Sequence, residues 1–346
     1  MEQAGITKQQ ATDFCREILP AVSRTFAVSI RLLPGELGAA VRYAYLICRI
    51  ADTLEDEPNM PAKSKAALLD LLAACFDDAR SVVAFRDAAA MVAGDPAHVR
   101  LVQNTELVFA AYRELPERTR EIVQRWIHEM IAGMRKFVLA YPRGVRIQSL
   151  DEYKEYCYYV AGTVGYLLTD LWHEHSPSID DHRYAILRDR CRAFAEALQT
   201  VNILKDVARD AEHENSIYIP EQLLRQHGSG HATILAPNRA RETRAALSEM
   251  TELAWHDLDE AKSYLLAIPR RAVSIRLFCA LPLLFAYATL RDLTRSSDAP
   301  ARHAVVKISR SEVKSLTVLS VIGVLSNRAM ARLVERARRK PLLVVP

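Results

Sequence analysis

The sequence predicts an all-α protein, and three observations carry that expectation. Apolar residues recur at helical spacing through nearly all of the 346 residues. The interruptions fall at prolines and at Pro34-Gly35. No run of alternating β-branched residues reaches strand length with hairpin chemistry beside it. In chain order, helices are expected over 7–18, 36–57, 61–80, 98–114, 117–139, 149–173, 183–210, 239–266, 270–294 and 310–338, the last broken near Ser326. Pro34-Gly35 opens the second and Pro58 closes it. Pro96, Pro116, Pro142 and Pro177 bound the helices that follow, and Pro220, Pro237, Pro269 and Pro300 punctuate the remainder. The most apolar stretch, Leu277 to Leu290, contains Pro282 and is flanked by Arg276 and Arg291. It falls short of the roughly 20 residues a bilayer span needs, so it reads as a core helix.

Two of these helices carry polar stripes. In the first, Tyr45, Arg49, Asp52 and Asp56 step by 4, 3 and 4 with Glu55 beside them; in the second, Gln199, Asn202, Asp206 and Asp210 step by 3, 4 and 4. Residues three or four apart share a helix face, so each set forms one stripe. A lone acidic run usually just faces water. Here Leu46, Ile47, Cys48 and Ile50 surround one cluster and Val201, Ile203, Leu204 and Val207 the other, so both helices read as largely buried. Buried carboxylates without a positive partner are costly and protonate instead. Divalent cations resolve the conflict, and hard oxygen ligands favour magnesium or manganese over zinc. Magnesium is usually completed by substrate phosphates, so the implied ligand is phosphorylated, with a diphosphate the best fit.

Composition sets the outer bounds. Half the residues are hydrophobic and only 11 are Gly, and no segment reads as a linker. One all-α domain over 1–346 is expected, with 300–346 as a C-terminal helical extension. A net charge of +4, from 46 Lys and Arg against 42 Asp and Glu, carries no nucleic-acid signal. Six cysteines lie scattered without C-x-x-C spacing, and the first residues lack the pattern of a signal peptide. Six reduced thiols in a cytoplasmic protein are expected, with no transmembrane helix. The tail Leu342 to Pro346 follows Arg336, Arg338, Arg339 and Lys340. A basic helix end with an apolar tip can rest peripherally on an anionic lipid surface, or be a solvated terminus. His173-Glu174-His175 lacks zinc spacing, the Gly228-Ser229-Gly230 patch follows no strand, and no G-x-S-x-G elbow occurs.

Four motifs, in order along the chain and including the two stripes, resemble the squalene and phytoene synthase family, the head-to-head prenyltransferases. Ser23-Arg24-Thr25-Phe26 resembles that family's S-R-[ST]-F, and Tyr45 to Asp56 its first aspartate-rich helix. Tyr156 to Gly165 resembles its Y-C-x-x-V-A-G-x-V-G helix, and Gln199 to Asp210 its second aspartate helix, followed by Tyr218 and Pro220. Ser274 to Pro282 and the Val306-Lys307-Ile308 segment with Arg310 are similar to the squalene-synthase branch. Between Asp210 and Tyr218, where the family carries an arginine, this chain has Ala211-Glu212-His213-Glu214-Asn215-Ser216, one residue longer.

The resemblance implies an isoprenoid-synthase-type helical bundle around a central cavity, with farnesyl diphosphate as substrate. Asp52, Glu55, Asp56, Asp206 and Asp210 would hold magnesium. Ser23, Arg24, Arg49, Gln199, Asn202 and Lys205 would bind the substrate, the arginines as forks and the lysine as a point charge. Phe26, Tyr45, Tyr156 and Phe278 would line the cation's chamber with π faces, the alternative for each being ordinary core packing. Ala161, Gly162 and Gly165 leave room for a prenyl chain or for close helix packing. Lys307 and Arg310, with Lys314, would hold NADPH without a Rossmann motif. Dehydrosqualene or phytoene synthesis, a terpene cyclase on the same fold, and a non-catalytic scaffold are the alternatives. A monomer or weak dimer is expected.

Overall fold

A computed structural model of the chain describes residues 6–296 and 307–341, with the side chains of Arg24 and Thr25 excepted. Val306 and the tail 342–346 therefore lie outside the described residues. The all-α expectation holds: among the described residues the nearest approach to a sheet is one isolated parallel bridge between Arg146 and Ile217.

The residues fall into two compact units. The first runs to Arg143 and includes Asp170–His175; the second comprises Gly144–Thr169 and the chain from Ser176. In the first unit α1 (Lys8–Val22) opens on a capping box, in which Gln10 N–H donates to the Thr7 hydroxyl and Thr7 N–H to the Gln10 side chain. Next come α2 (Arg24–Arg31), α3 (Gly35–Asp56), α4 (Ala62–Ala74), α5 (Ala79–Ala88), α6 (Pro96–Gln103), α7 (Thr105–Arg113) and α8 (Glu117–Ala140). Helix α3 is the axis of this unit, packed by α1, α4, α6, α7 and α8. Its Leu46, Ile47, Ile50, Ala51 and Leu54 are fully buried. Asp78 and Asp95 cap α5 and α6; the helix expected over 61–80 stops at Ala74, and the one expected over 98–114 divides in two.

The second unit starts with α9 (Leu150–Cys157), whose axis passes through a π turn, Tyr158–Gly162, into α10 (Thr163–His175), of which Asp170–His175 count with the first unit. Then follow α11 (Asp181–His213), α12 (Glu221–Gln226), α13 (Ala240–Ala267), α14 (Val273–Arg295), α15 (Arg310–Gly323) and α16 (Asn327–Arg339). Helices α11 and α13 pack along their lengths, and α14 packs on α11, α13, α15 and α16. Ser326 caps α16, which is the break the sequence foretold. Helix α14 is longer than the apolar stretch read from sequence, and by length and composition it could cross a membrane, but 78% of its apolar window is buried. Both flanking arginines turn inward. Arg276 donates to Val324 O, Ile268 O and Asn327 Oδ1. Arg291 makes a bidentate pair with Glu312 at 2.8 and 3.0 Å and donates to Ala337 O. With its arginines satisfied by neighbouring helices, α14 is the core helix of this unit. All six cysteines are free thiols; burial pushes those of Cys15 and Cys75 up to about 12, so they are inert near neutrality.

Candidate active site

Arg49 is the centre of the first stripe. Its Nη2 donates to the Tyr45 hydroxyl at 3.2 Å, its guanidinium lies 5.7 Å from the Tyr45 ring centroid, and its Nη1 is 3.4 Å from Asp52 Oδ2. Phe26 completes the aromatic side, its ring 5.7 Å from that of Tyr45. It is set there by Ser23, whose Oγ caps α2 by accepting from the Phe26 N–H at 3.1 Å. Arg24 opens the same helix, but its side chain lies outside the described residues. Arg49 Nε is buried without a hydrogen-bond partner. A dry guanidinium N–H is an expensive vacancy unless an anion fills it.

The electrostatics of this corner are asymmetric. Burial disfavours the charge on Arg49, yet Asp52, Tyr45 and Asp56 outweigh it, so the arginine stays charged at any working pH. Burial likewise raises the pKa of Asp52, and Arg49 and His98 only partly offset it. His98, on α6, is a neighbour that spacing along α3 could not reveal, since it lies 46 residues further along the chain. Glu55 is buried and Asp56 half-buried at the end of α3. The Glu55 carbonyl accepts from Lys65 Nζ.

On α11 the second stripe is more open. Gln199 is half-buried, Asn202 exposed, and Lys205 Nζ sits 3.1 Å from the carboxylate of Asp206, its chain neighbour. Asp210 is buried, 7% exposed, and its carbonyl accepts from Glu214 and Ser216 N–H groups as the helix ends. In the same unit the Tyr156 ring stacks on Tyr218 at 4.8 Å and 25°. The sequence put Tyr218 in a motif without assigning it a partner. Tyr153 donates to Thr200 at 2.9 Å, tying α9 to α11. Phe278 is 2% exposed within α14, as core packing requires. Lys307 and Arg310 are exposed beside the start of α15, where the Ser309 side chain caps the helix. A Cβ on Gly165 would stand 2.3 Å from Cys191 O, so this glycine serves the close approach of α10 to α11.

Both acidic clusters stand at helix C-termini. Glu55 and Asp56 occupy the last turn of α3, with Asp52 directly before it and no basic residue in that turn; Asp210 lies in the last turn of α11 and Asp206 one turn earlier. The negative end of the helix dipole adds to the carboxylates there, so both places favour a cation. Among the described residues no three His, Cys, Asp or Glu side chains form a metal-holding group. Within each stripe one carboxylate leans on a basic neighbour, Asp52 on Arg49 and Asp206 on Lys205. The donors still fit magnesium, which needs only one or two carboxylates and is completed by water and phosphate oxygens.

Comparisons with known proteins give the family. The squalene/phytoene synthase family profile matches residues 19–312. Squalene synthase of Schizosaccharomyces pombe is 27% identical over 310 residues, 89% of this chain and 64% of its own length. Squalene synthase BSS of Botryococcus braunii is 31% identical over 289 residues, 82% of this chain and 59% of its own. The chain thus spans just under two thirds of the length of these relatives. The solved structure of TcSQS with the ligand BPH1237 shares the fold, with a TM-score of 0.76 at 24% identity over 95% of this chain and 98% of that one. The chain belongs to the squalene/phytoene synthase family.

Proposed function

We propose that this chain is a magnesium-dependent prenyltransferase that joins two farnesyl diphosphates head to head into presqualene diphosphate and then reduces that intermediate with NADPH to squalene. The observation that carries the reading is the pair of carboxylate clusters at the ends of α3 and α11, with the unpartnered Nε of Arg49 beside the first. Asp52, Glu55, Asp56, Asp206 and Asp210 would hold magnesium, which supplies charge neutralisation for a leaving diphosphate. Arg49 contributes a fixed cationic fork, already oriented by Tyr45 and Asp52, so little reorganisation is needed when the anion arrives. Lys205 adds a second point charge. The Phe26–Tyr45 and Tyr156–Tyr218 ring pairs offer π faces that attract a cation by about 1–2 kcal/mol when dry.

Reduction rests on Lys307 and Arg310, exposed cations beside the positive end of α15, a place suited to the phosphates of NADPH. The deciding experiment incubates the protein with farnesyl diphosphate and magnesium, with and without NADPH, and identifies the lipid. Squalene formed only with NADPH supports the proposal. A dehydrogenated hydrocarbon indifferent to NADPH would replace it with dehydrosqualene or phytoene synthesis, and a cyclic terpene with a cyclase. No product under any condition would leave the scaffold reading.

A further inference from the structure

Helix α15 turns one face to solvent along its whole length. Arg310 and Lys314 are exposed on its first half. Then come Val318 (46% exposed), Val321 (54%), Ile322 (76%) and, in the turn that follows, Leu325 (61%). Steps of 4, 4, 3 and 1 place the first five on one side of the helix, and Leu325 follows just beyond its end. Four of the twelve exposed large hydrophobic side chains among the described residues thus lie within eight residues of chain, and the other eight are dispersed. Scattered apolar residues need no explanation, whereas a contiguous stripe does.

The stripe is held outward. The opposite side of α15 is anchored by Leu316, fully buried, and by Glu312, whose two oxygens take the Arg291 fork at 2.8 and 3.0 Å. Ser320 is buried on that side as well. Rotating the helix to hide Ile322 would break the buried pair, so the exposed face is fixed by the core beneath it.

Charge identifies the occupant. From Lys307 to Val334 the acidic residues reduce to Glu312, which is buried and paired, while Lys307, Arg310, Lys314, Arg328 and Arg332 are all exposed. From Lys307 to Pro341 there are nine Lys and Arg against two Glu, a larger positive excess than the +4 of the whole chain. An apolar tip between cations on both sides matches an anionic bilayer surface, where side chains enter the acyl boundary and Lys314, Arg328 and Arg332 meet headgroup phosphates. A second copy on the same face would oppose like charges, which costs rather than binds. We propose that this face of α15 docks the protein on an anionic lipid surface, with Val321, Ile322 and Leu325 as the inserted side chains.

The test uses the full chain and does not depend on the enzymatic reading. Co-sedimentation with phosphatidylcholine vesicles, with and without phosphatidylglycerol, should show binding to the anionic vesicles alone, weakening as salt is raised. The triple variant Val321→Gln, Ile322→Gln, Leu325→Gln should melt as the wild type does, because those side chains are exposed, and should bind at least about tenfold more weakly. A second variant, Ile322→Trp, should shift its fluorescence to the blue on the same vesicles. Equal binding by the triple variant, no preference for anionic lipid, or an unmoved emission from the Ile322→Trp variant would overturn the proposal. So would sedimentation velocity showing a dimer that the triple variant splits while vesicles take up neither protein, since the stripe would then join two copies.

Discussion

On α3 the acidic stripe is threaded into a network running from Asp52 through Arg49 and Tyr45 to Phe26, on a helix whose Leu46, Ile47, Ile50, Ala51 and Leu54 are fully buried. On α11 the corresponding stripe is looser, with Asn202 exposed and Lys205 reaching Asp206 beside it in the chain. Both lie at a helix C-terminus and both favour a cation, yet their surroundings differ. The first corner fixes an arginine and leaves one of its N–H groups open for an anion; the second pairs its lysine only with the carboxylate next to it in the chain. Similar acidic motifs can therefore stand in unlike surroundings, the one beside an arginine fork and the other beside a single lysine.

The largest expected effect is common to both stripes. Asp52→Asn and Asp206→Asn each remove a charged oxygen with little change in volume, and turnover with saturating magnesium should fall by about a thousandfold or more. A near wild-type rate in either variant would sink the metal assignment for that stripe.

The cations should separate the two corners. Arg49→Lys loses the fork that reaches Tyr45 and Asp52 together, so activity should drop by roughly 10–100-fold, whereas Lys205→Arg should stay within about threefold of wild type. If steady-state kinetics show the two conservative exchanges to be equally damaging, the corners are equivalent and the comparison fails.

Tyr156 gives a smaller contrast. If its stack on Tyr218 is what matters, Tyr156→Phe should retain most activity and Tyr156→Ala should lose about tenfold or more. Loss in the Phe variant would instead assign the hydroxyl a chemical role, and equal activity of both variants would reduce Tyr156 to packing.

The smallest effect concerns stability. The pKa of Asp52 is raised in the fold, so its ionisation is penalised there. That penalty is absent below the unfolded pKa and grows as pH rises through the folded value. In magnesium-free buffer at neutral pH, Asp52→Asn should therefore melt no lower than wild type, with the difference shrinking as the pH falls into the carboxylate range. A lower melting temperature at neutral pH would mean that Arg49 outweighs burial at this site.

Helical periodicity was enough to establish the all-α class, the two polar stripes and the break at Ser326, because each depends on neighbours within one or two turns. The same locality explains why the acidic runs could be placed on α3 and α11 from spacing alone. It failed where a distant partner decides. Helix α2 is too short to show a period, α6 and α7 part at Asn104 inside an apolar pattern that never falters, and the π turn at Tyr158–Gly162 leaves the hydrophobic pattern unbroken. Arg276 and Arg291 read as the polar flanks of an apolar stretch. Only the packed helices made them buried donors, because their acceptors lie up to 51 residues away in the chain. The outward face of α15 belongs to the same class. Its apolar residues look like those of any core helix until Glu312 and Leu316 determine which side faces in, and that choice depends on Arg291 in another helix.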